Sequence, residues 1–395
     1  MNRYRWSGIM VKLEDLFSVY YKARSNKRRS RDTVRFEMNL EANLLQLWKE
    51  LNSRTFRADS NYAFTVSVPK DREIFATEMK NRVVHHYLDW RMRPIYESVL
   101  SDRSFNNRKG MGLHAAIDCF RNDVRELTEG YTKDAWCIHL DLKGYFPNAN
   151  VEKALSQQID LIERYYDGED KDDLKYMMET CMRADPARHC SIYVPLSCWE
   201  RIAPEKSLFN KPVGVGAAIG FLCWQNAMGL YINDVVKWLQ SRENLRVVVF
   251  VDDIYVVTKD KPGFLALMPE LRERLAALDV RLNEKKFFCQ HYSKGIRCLG
   301  TVLKFERSYI NRTTVNRAFA RLREWYDKRY IPIDERANML CSLNTYFGMM
   351  KNGNNRKILQ MFKEKCLSSL GRFIVWNEKK SCLGLKKKVR CALCL

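Results

Sequence analysis

Two short apolar runs joined by a pair of carboxylates predict a β-hairpin at residues 246–257. The residues on either side of Asp252 and Asp253 are almost all β-branched or aromatic. Runs this short and this apolar are typical of strands that are buried in a sheet. Because the two aspartates are the polar break between the runs, we expect them at the tip of the hairpin.

A second apolar run, residues 136–140, ends directly at Asp141. A strand ending in Asp141 and set beside the hairpin would gather three carboxylates at one edge of a sheet. Neighbouring carboxylates repel one another unless a cation lies between them, and hard divalent cations prefer oxygen ligands. The pattern therefore predicts a site for two Mg²⁺ ions about 3.5–4 Å apart, which activate a 3′-hydroxyl and steady a leaving pyrophosphate. The competing interpretation is an ordinary Asp-Asp turn, since aspartate is common in turns.

Periodic patterns elsewhere predict a largely helical chain with one further hairpin. A three- to four-residue apolar period predicts helices over residues 36–51, 77–99, 113–128, 151–162, 221–239 and 264–279, and from 313 to about 375. Alternation around Pro69 predicts an extended hairpin at 62–76, and Gly300 interrupts a strand pair at 296–303. The acidic segment 167–173 is interpreted as a solvated loop, and 183–212, with four prolines, as irregular.

The charge of the chain favours a polyanionic partner. Lysine and arginine exceed aspartate and glutamate by 68 − 47 = 21, which points most simply to nucleic acid. A merely soluble basic protein is the alternative. A membrane-surface role is disfavoured because no long apolar run accompanies the charge. Lys70 and Arg72, in the predicted hairpin, are candidates for gripping a nucleotide triphosphate, although each equally suits an exposed charge.

The cysteines indicate a reducing compartment. There are 13 of them, an odd number, and several lie in apolar segments. With no signal peptide at the beginning of the sequence, we expect a cytoplasmic protein with free thiols. Cys391 and Cys394 have CxxC spacing and Cys382 is near, but a zinc site needs a fuller set of ligands.

The order of these motifs resembles the palm of a reverse transcriptase. The residues that carry the resemblance are, in chain order, Asp141, Gly220, Asp252, Asp253, Lys286, Leu299 and Gly300. The resemblance implies that Phe146 abuts the sugar of an incoming deoxynucleotide and that the Leu142 carbonyl adds a metal ligand. It also implies that Lys286 approaches the triphosphate, where an exposed lysine is the alternative, and that Leu299 and Gly300 support the primer end.

One position favours a subfamily. Most reverse transcriptases have glutamine before the glycine of this motif, whereas Ile219 stands here before Gly220. The run 219–225, which ends in Gln225, resembles the reverse transcriptases of diversity-generating retroelements, with Trp224 in place of their serine. Segments 81–86, 198–209 and 344–348 also resemble that subfamily, and Phe250 replaces the tyrosine that usually precedes the paired aspartates.

The subfamily implies a particular activity and set of partners. Such an enzyme copies a template-repeat RNA into cDNA with errors opposite adenine, using a primer strand and dNTPs, and a basic accessory protein binds it. A branched aliphatic chain at Ile219 cannot hydrogen-bond near the nascent base pair, so we expect the geometry of that base pair to be enforced less strictly. Packing of Ile219 against the following helix is the plainer interpretation, and both can hold.

The predicted fold is α+β, a right-hand polymerase with fingers, an antiparallel-sheet palm and a helical thumb. We expect an N-terminal extension and fingers at 1–130, the palm with part of the fingers at 131–303, the thumb at 304–380 and a basic tail at 381–395. Two alternatives stay open at this point. One is a retron-like or phage-defence reverse transcriptase of ordinary fidelity, and the other a catalytically silent, maturase-like RNA-binding protein.

Overall fold

The computed structural model describes residues 11–25, 27–28, 30–67, 71–304, 307–326 and 328–386. They divide into two compact units. The first combines Met1–Ala116 with Ile138–Phe288, and the second combines Ile117–Cys137 with Cys289–Leu395. The chain therefore leaves the first unit after Ala116 and returns to it at Ile138, which lies within the strand that ends in Asp141.

The described residues contain the following helices and strands. The helices are α1 Leu13–Ala23, α2 Arg31–Glu37, α3 Leu40–Asn52, α4 Met79–Val99, α5 Leu113–Leu127, α6 Val151–Tyr165, α7 Lys171–Arg183, α8 Leu222–Tyr231, α9 Asn233–Gln240, α10 Lys261–Ala276, α11 Arg312–Tyr326, α12 Ile333–Met350 and α13 Arg356–Leu370. The strands are β1 Asn61–Val66, β2 Arg72–Thr77, β3 Ser104–Phe105, β4 Trp136–Asp141, β5 Ser191–Ile192, β6 Leu245–Phe250, β7 Asp253–Thr258, β8 Phe288–His291, β9 Ile296–Cys298, β10 Thr301–Lys304, β11 Arg307–Ile310, β12 Ile374–Asn377 and β13 Cys382–Leu385.

The hairpin predicted around Pro69 is present as β1 and β2, which pair antiparallel from Asn61↔Thr77 to Val66↔Arg72. Residues 68–70 at its turn, Pro69 and Lys70 among them, lie outside the described residues. The segment 183–212 is not wholly irregular, because its strand β5 adds a parallel third strand to this sheet. Buried Glu73 holds the segment in place, since its carboxylate accepts from Trp199 Nε1 (3.1 Å) and Ser207 Oγ (2.8 Å).

The sheet that carries the aspartates has the strand order β3-β6-β7-β4-β8. β6 and β7 form the predicted antiparallel hairpin, and Phe250 pairs with Asp253 at its end. The two-residue turn is therefore Val251-Asp252, and Asp253 is the first residue of β7. Val251 adopts a φ of 60°, which is strained for a β-branched side chain. The sheet is mixed, because the two residues of β3 pair parallel with β6.

The single helix predicted over 221–239 is in fact two, α8 and α9, which meet at Ile232. The next residue, Asn233, is buried and contacts the end of α4. Its Oδ1 accepts from the Ser101 N–H (2.9 Å) and its Nδ2 donates to the Val99 carbonyl (3.2 Å). A buried amide needs such hydrogen-bond partners, and Asn233 finds them at the position where the two helices meet.

The interpretation of residues 167–173 as a solvated acidic loop is wrong. Asp170 and Asp173 are buried, and the segment leads into α7. Arg91 Nη2 donates to Asp170 Oδ2 (2.7 Å), and Arg54 Nη2 donates to Asp173 Oδ1 (2.9 Å). Charged side chains are buried where a partner of opposite charge is available, and the sequence does not reveal these distant arginines.

The second unit is described separately. Its core gathers α11, α12 and α13 around Leu343, Phe347 and Phe362 with the hairpin β12–β13. The region predicted to be helical from 313 to about 375 holds these three helices and the beginning of β12. Strands β9, β10 and β11 form a separate small sheet. Leu299 and Gly300, with φ of 46° and 83°, form the two-residue turn between β9 and β10.

Candidate active site

The structure brings Asp141 beside the Asp252-Asp253 turn. The Leu142 N–H donates to the Asp252 carbonyl over 2.9 Å, which joins the residue after β4 to the turn between β6 and β7. Because β4 is the neighbour of β7 in the sheet, Asp141 at the end of β4 lies next to the beginning of β7. Carboxylates more than a hundred positions apart in the sequence thus meet at one edge of the sheet.

Neighbouring side chains hold two of these carboxylates. Asn283 binds Asp141 twice, since its main-chain N–H donates to the Asp141 carbonyl (2.8 Å) and its Nδ2 donates to Oδ2 (2.9 Å). Lys286 forms an ion pair with Asp141 Oδ1. His139 Nε2 lies 2.7 Å from Asp253 Oδ1.

The third carboxylate, Asp252, is in an environment that disfavours its charge. Burial is the main cause that raises its pKa, and the negative charges of Asp253 and then Asp141 raise it further. Repulsion of this kind is what a bound cation relieves, and carboxylate oxygens are the ligands that Mg²⁺ prefers. The donor set therefore fits a magnesium ion.

The carboxylates are not already arranged as a closed cage. Among the described residues, no group of three or more His, Cys, Asp or Glu side chains stands ready to hold a metal ion. The Lys286 ammonium occupies Asp141 Oδ1, the place where an ion would add its charge. A cation bound at Asp141 would therefore share this carboxylate with the Lys286 ammonium, or displace it.

Leu142, predicted to contribute a main-chain carbonyl, forms a bridge with Leu282. The hydrogen bonds of this bridge run from the Lys143 N–H to the Arg281 carbonyl (2.8 Å) and from Asn283 to Asp141. They do not use the Leu142 carbonyl, which is compatible with the predicted ligand role.

The loop that holds Phe146 and the loop that holds Gly220 are far apart in the sequence, but they lie next to each other in the structure. The Ala217 N–H donates to the Phe146 carbonyl over 2.8 Å, and the Phe146 ring meets Tyr145 edge-on at 5.9 Å. Gly220 has a φ of 117°, and a Cβ there would lie 2.2 Å from the Phe75 carbonyl oxygen. Only glycine allows the main chain to approach β2 this closely.

Comparison with known proteins decides the family. The sequence profile of the reverse transcriptase (RNA-dependent DNA polymerase) family matches residues 69–303, more than half of the chain. The chain belongs to the reverse transcriptase family. This match confirms the predicted α+β polymerase fold class and the resemblance to the reverse transcriptase family. No curated protein matches the chain by sequence.

Solved telomerase structures are similar to this reverse transcriptase only at a distance. Apo telomerase from Candida tropicalis aligns with a TM-score of 0.49 and 11% identity, covering 79% of this chain and 58% of that one. Telomerase from Candida albicans in complex with a TWJ fragment of telomeric RNA aligns with a TM-score of 0.44 and 11% identity, covering 82% and 57%. The reverse transcriptase thus spans under two thirds of the telomerase chains.

Other predicted site residues lie in defined surroundings. Ile219 is half-buried, and its carbonyl accepts from the Phe75 N–H over 2.9 Å. Gln225 is half-buried in α8, and its carbonyl accepts from Asn107 Nδ2 (3.1 Å). Arg72 is exposed at the beginning of β2.

Two residues of the site were missed by sequence reasoning, His139 and Asn283. A signal for each was available. His139 lies two residues before Asp141, and strand periodicity places such positions on one face. Asn283 lies three residues before Lys286, in the segment that was already assigned to the triphosphate.

None of the described helices combines the length and the apolar character needed to cross a membrane.

Proposed function

We propose that this reverse transcriptase belongs to a diversity-generating retroelement and copies a template-repeat RNA into cDNA with errors opposite adenine. The observation that carries the polymerase chemistry is the hydrogen bond from Leu142 to the Asp252 carbonyl, which holds Asp141 against the paired aspartates. Ile219 supports the subfamily, since its side chain offers no hydrogen bond to a nascent base pair.

In this proposal Asp141, Asp252 and Asp253, with the Leu142 carbonyl, hold two Mg²⁺ ions. The ions, when bound, activate the primer 3′-hydroxyl and neutralise charge on the transferring phosphoryl group. Lys286 exchanges its contact with Asp141 for the triphosphate, so its positive charge moves toward the leaving pyrophosphate. Catalysis rests mainly on positioning and charge neutralisation.

The nucleotide and primer lie against other residues in the proposal. Phe146 excludes a 2′-hydroxyl, and Lys70 and Arg72 grip the triphosphate. Leu299 and Gly300 support the primer end. Template RNA, the primer or cDNA strand and dNTPs are the partners, with a basic accessory protein, and the cytoplasm is the compartment.

One experiment separates the three candidate functions. The purified chain, alone and with any co-purifying protein, extends a primer on an RNA template that contains all four bases, and the cDNA is sequenced. We expect errors concentrated opposite adenine. Errors spread evenly over the four bases would favour a retron-like enzyme and reject the subfamily.

Two variants make the result specific. Asp252→Ala removes a proposed metal ligand, so we expect it to abolish extension while RNA binding stays at the wild-type level. Ile219→Gln restores a hydrogen-bonding side chain, and we expect it to lower the adenine-directed errors. If the wild-type chain binds RNA but extends no primer under any of these conditions, the protein is the maturase-like alternative.

A further inference from the structure

His139 is a half-buried histidine at the edge of the candidate active site. It lies on β4, two residues before Asp141, and its side chain is 19% exposed. Its Nε2 is 2.7 Å from Asp253 Oδ1. An ionised carboxylate can only accept hydrogen bonds, so Nε2 carries the hydrogen and donates it to Asp253.

The imidazole ring is itself held in place by Tyr255. The two rings are stacked, with centroids 4.6 Å apart and planes at 16°. Tyr255 is buried on β7, two residues after Asp253. Side chains two positions apart on a strand share a face, so His139 and Asp141 on β4 stand beside Asp253 and Tyr255 on β7.

This arrangement restricts the Asp253 carboxylate. A carboxylate on a strand end otherwise rotates freely about its side-chain bonds, and that freedom is lost when a ligand binds. The hydrogen bond engages Oδ1 and leaves Oδ2 outside this contact. Removal of a side chain that holds a ligating group in this way typically lowers metal affinity by about ten- to a hundred-fold.

We propose that His139 is a positioning residue that orients the Asp253 carboxylate for metal binding, with Tyr255 as the support that fixes the imidazole ring. The inference rests on the proposed role of Asp253 as a ligand. It assigns to His139 no contact with the metal and no part in proton transfer. Asn283 stands in a matching relation to Asp141, since its Nδ2 donates to Oδ2 over 2.9 Å.

The test compares His139→Leu, which removes the donor, with His139→Gln, whose amide nitrogen stands close to the position of Nε2. His189→Leu is the matched control, because it makes the same substitution at an exposed histidine outside the site. Mn²⁺ binding to the full-length protein without nucleotide is measured by electron paramagnetic resonance. The Mg²⁺ concentration for half-maximal primer extension, kcat, KM for dNTP and the melting temperature are measured alongside.

We expect His139→Leu to weaken Mn²⁺ binding and to raise the half-saturating Mg²⁺ concentration by about ten-fold each. KM for dNTP and the melting temperature should stay near the wild-type values. His139→Gln should recover most of the loss, and His189→Leu should match the wild type throughout.

Two outcomes would overturn the proposal. One is wild-type Mn²⁺ affinity in His139→Leu. The other is an equal loss in the Leu and Gln variants together with a lowered melting temperature, which would make the histidine a structural residue only. Asp253→Asn separates this failure from that of the proposed function, because unchanged Mn²⁺ binding in that variant would show that Asp253 is not a ligand at all.

Discussion

The Phe75 N–H donates to the Ile219 carbonyl over 2.9 Å, and this bond joins strand β2 to the turn that precedes α8. It uses the main chain of Ile219, so the bond does not depend on which side chain stands at this position. Substitutions at position 219 should therefore preserve the fold, whereas the next residue has no such freedom. Gly220 lies where a Cβ would meet the Phe75 carbonyl oxygen at 2.2 Å.

Gly220→Ala should destabilise the first unit by about 3 kcal/mol, because both the left-handed φ and the contact with main-chain oxygen oppose a side chain. The measurement is urea denaturation of the purified protein. Gly229→Ala is the control, since this glycine lies in α8 and a Cβ added to it would have no neighbouring atom within 4 Å. It should stabilise the protein by about 0.5–1 kcal/mol. Equal effects of the two substitutions would contradict the close approach at Gly220.

Asp170→Asn should destabilise the protein by about 3 kcal/mol, because it leaves Arg91 without its buried partner. Asp170 also accepts from Tyr166 (2.6 Å) and Tyr87 (3.2 Å), so the substitution removes the negative charge of this cluster and leaves the charge of Arg91 unbalanced. Thermal and urea denaturation measure the loss. Asp172→Asn, an exposed aspartate in the same segment, is the control and should leave stability almost unchanged. A small effect at Asp170 would mean that the cluster is solvated, as the acidic run in the sequence suggests.

Phe146→Val should raise incorporation of ribonucleotides relative to deoxynucleotides by about ten-fold or more, since a smaller side chain admits the 2′-hydroxyl. Single-nucleotide extension with each dNTP and the matching rNTP gives the ratio of kcat/KM values. Tyr145→Phe is a useful comparison, because the neighbouring ring is buried and its hydroxyl bonds to the Met228 carbonyl (2.5 Å). That variant should leave the ratio unchanged. An unaltered ratio in Phe146→Val would remove its assignment to the sugar.

His85 should make the protein sensitive to mild acid. Burial, followed by the charges of His86 and Arg82, lowers its pKa from 6.5 to about 3. The folded state therefore resists a proton that the unfolded state accepts, and stability is lost as pH falls below 6.5. Between about pH 7.5 and about pH 5 the loss from this group is about 2 kcal/mol.

Denaturation at the two pH values tests this expectation against His85→Gln. The glutamine oxygen can accept from the Cys223 N–H, which bonds to His85 Nδ1 at 3.4 Å. Glutamine does not titrate, so the variant should lose about 2 kcal/mol less than the wild type over this range. The same loss of stability in both proteins would show that protonation of a group other than His85 causes it.

The local pattern of apolar residues predicted several strands and helices, because these elements form between residues that are close together in the chain. Short continuous apolar runs predicted β4, β6 and β7, because a strand that is buried on both faces of a sheet is apolar at successive positions. The hairpin β1–β2 and helix α4 were also predicted, since Pro69 and the apolar spacing act within a few residues. The family match confirms the polymerase fold that the motif order indicates.

What the sequence determined by itself was the fold class, the reverse transcriptase family and the aspartate motifs, because each motif consists of residues close together in the chain and the order of the motifs can be read directly. Tertiary structure decided the burial of Asp170, the break between α8 and α9, and the partners of the carboxylates at the candidate active site. His139 meets Asp253 across 114 positions and Asn283 meets Asp141 across 142. No local periodicity specifies such a pair, since it depends on which strands become neighbours when the chain folds.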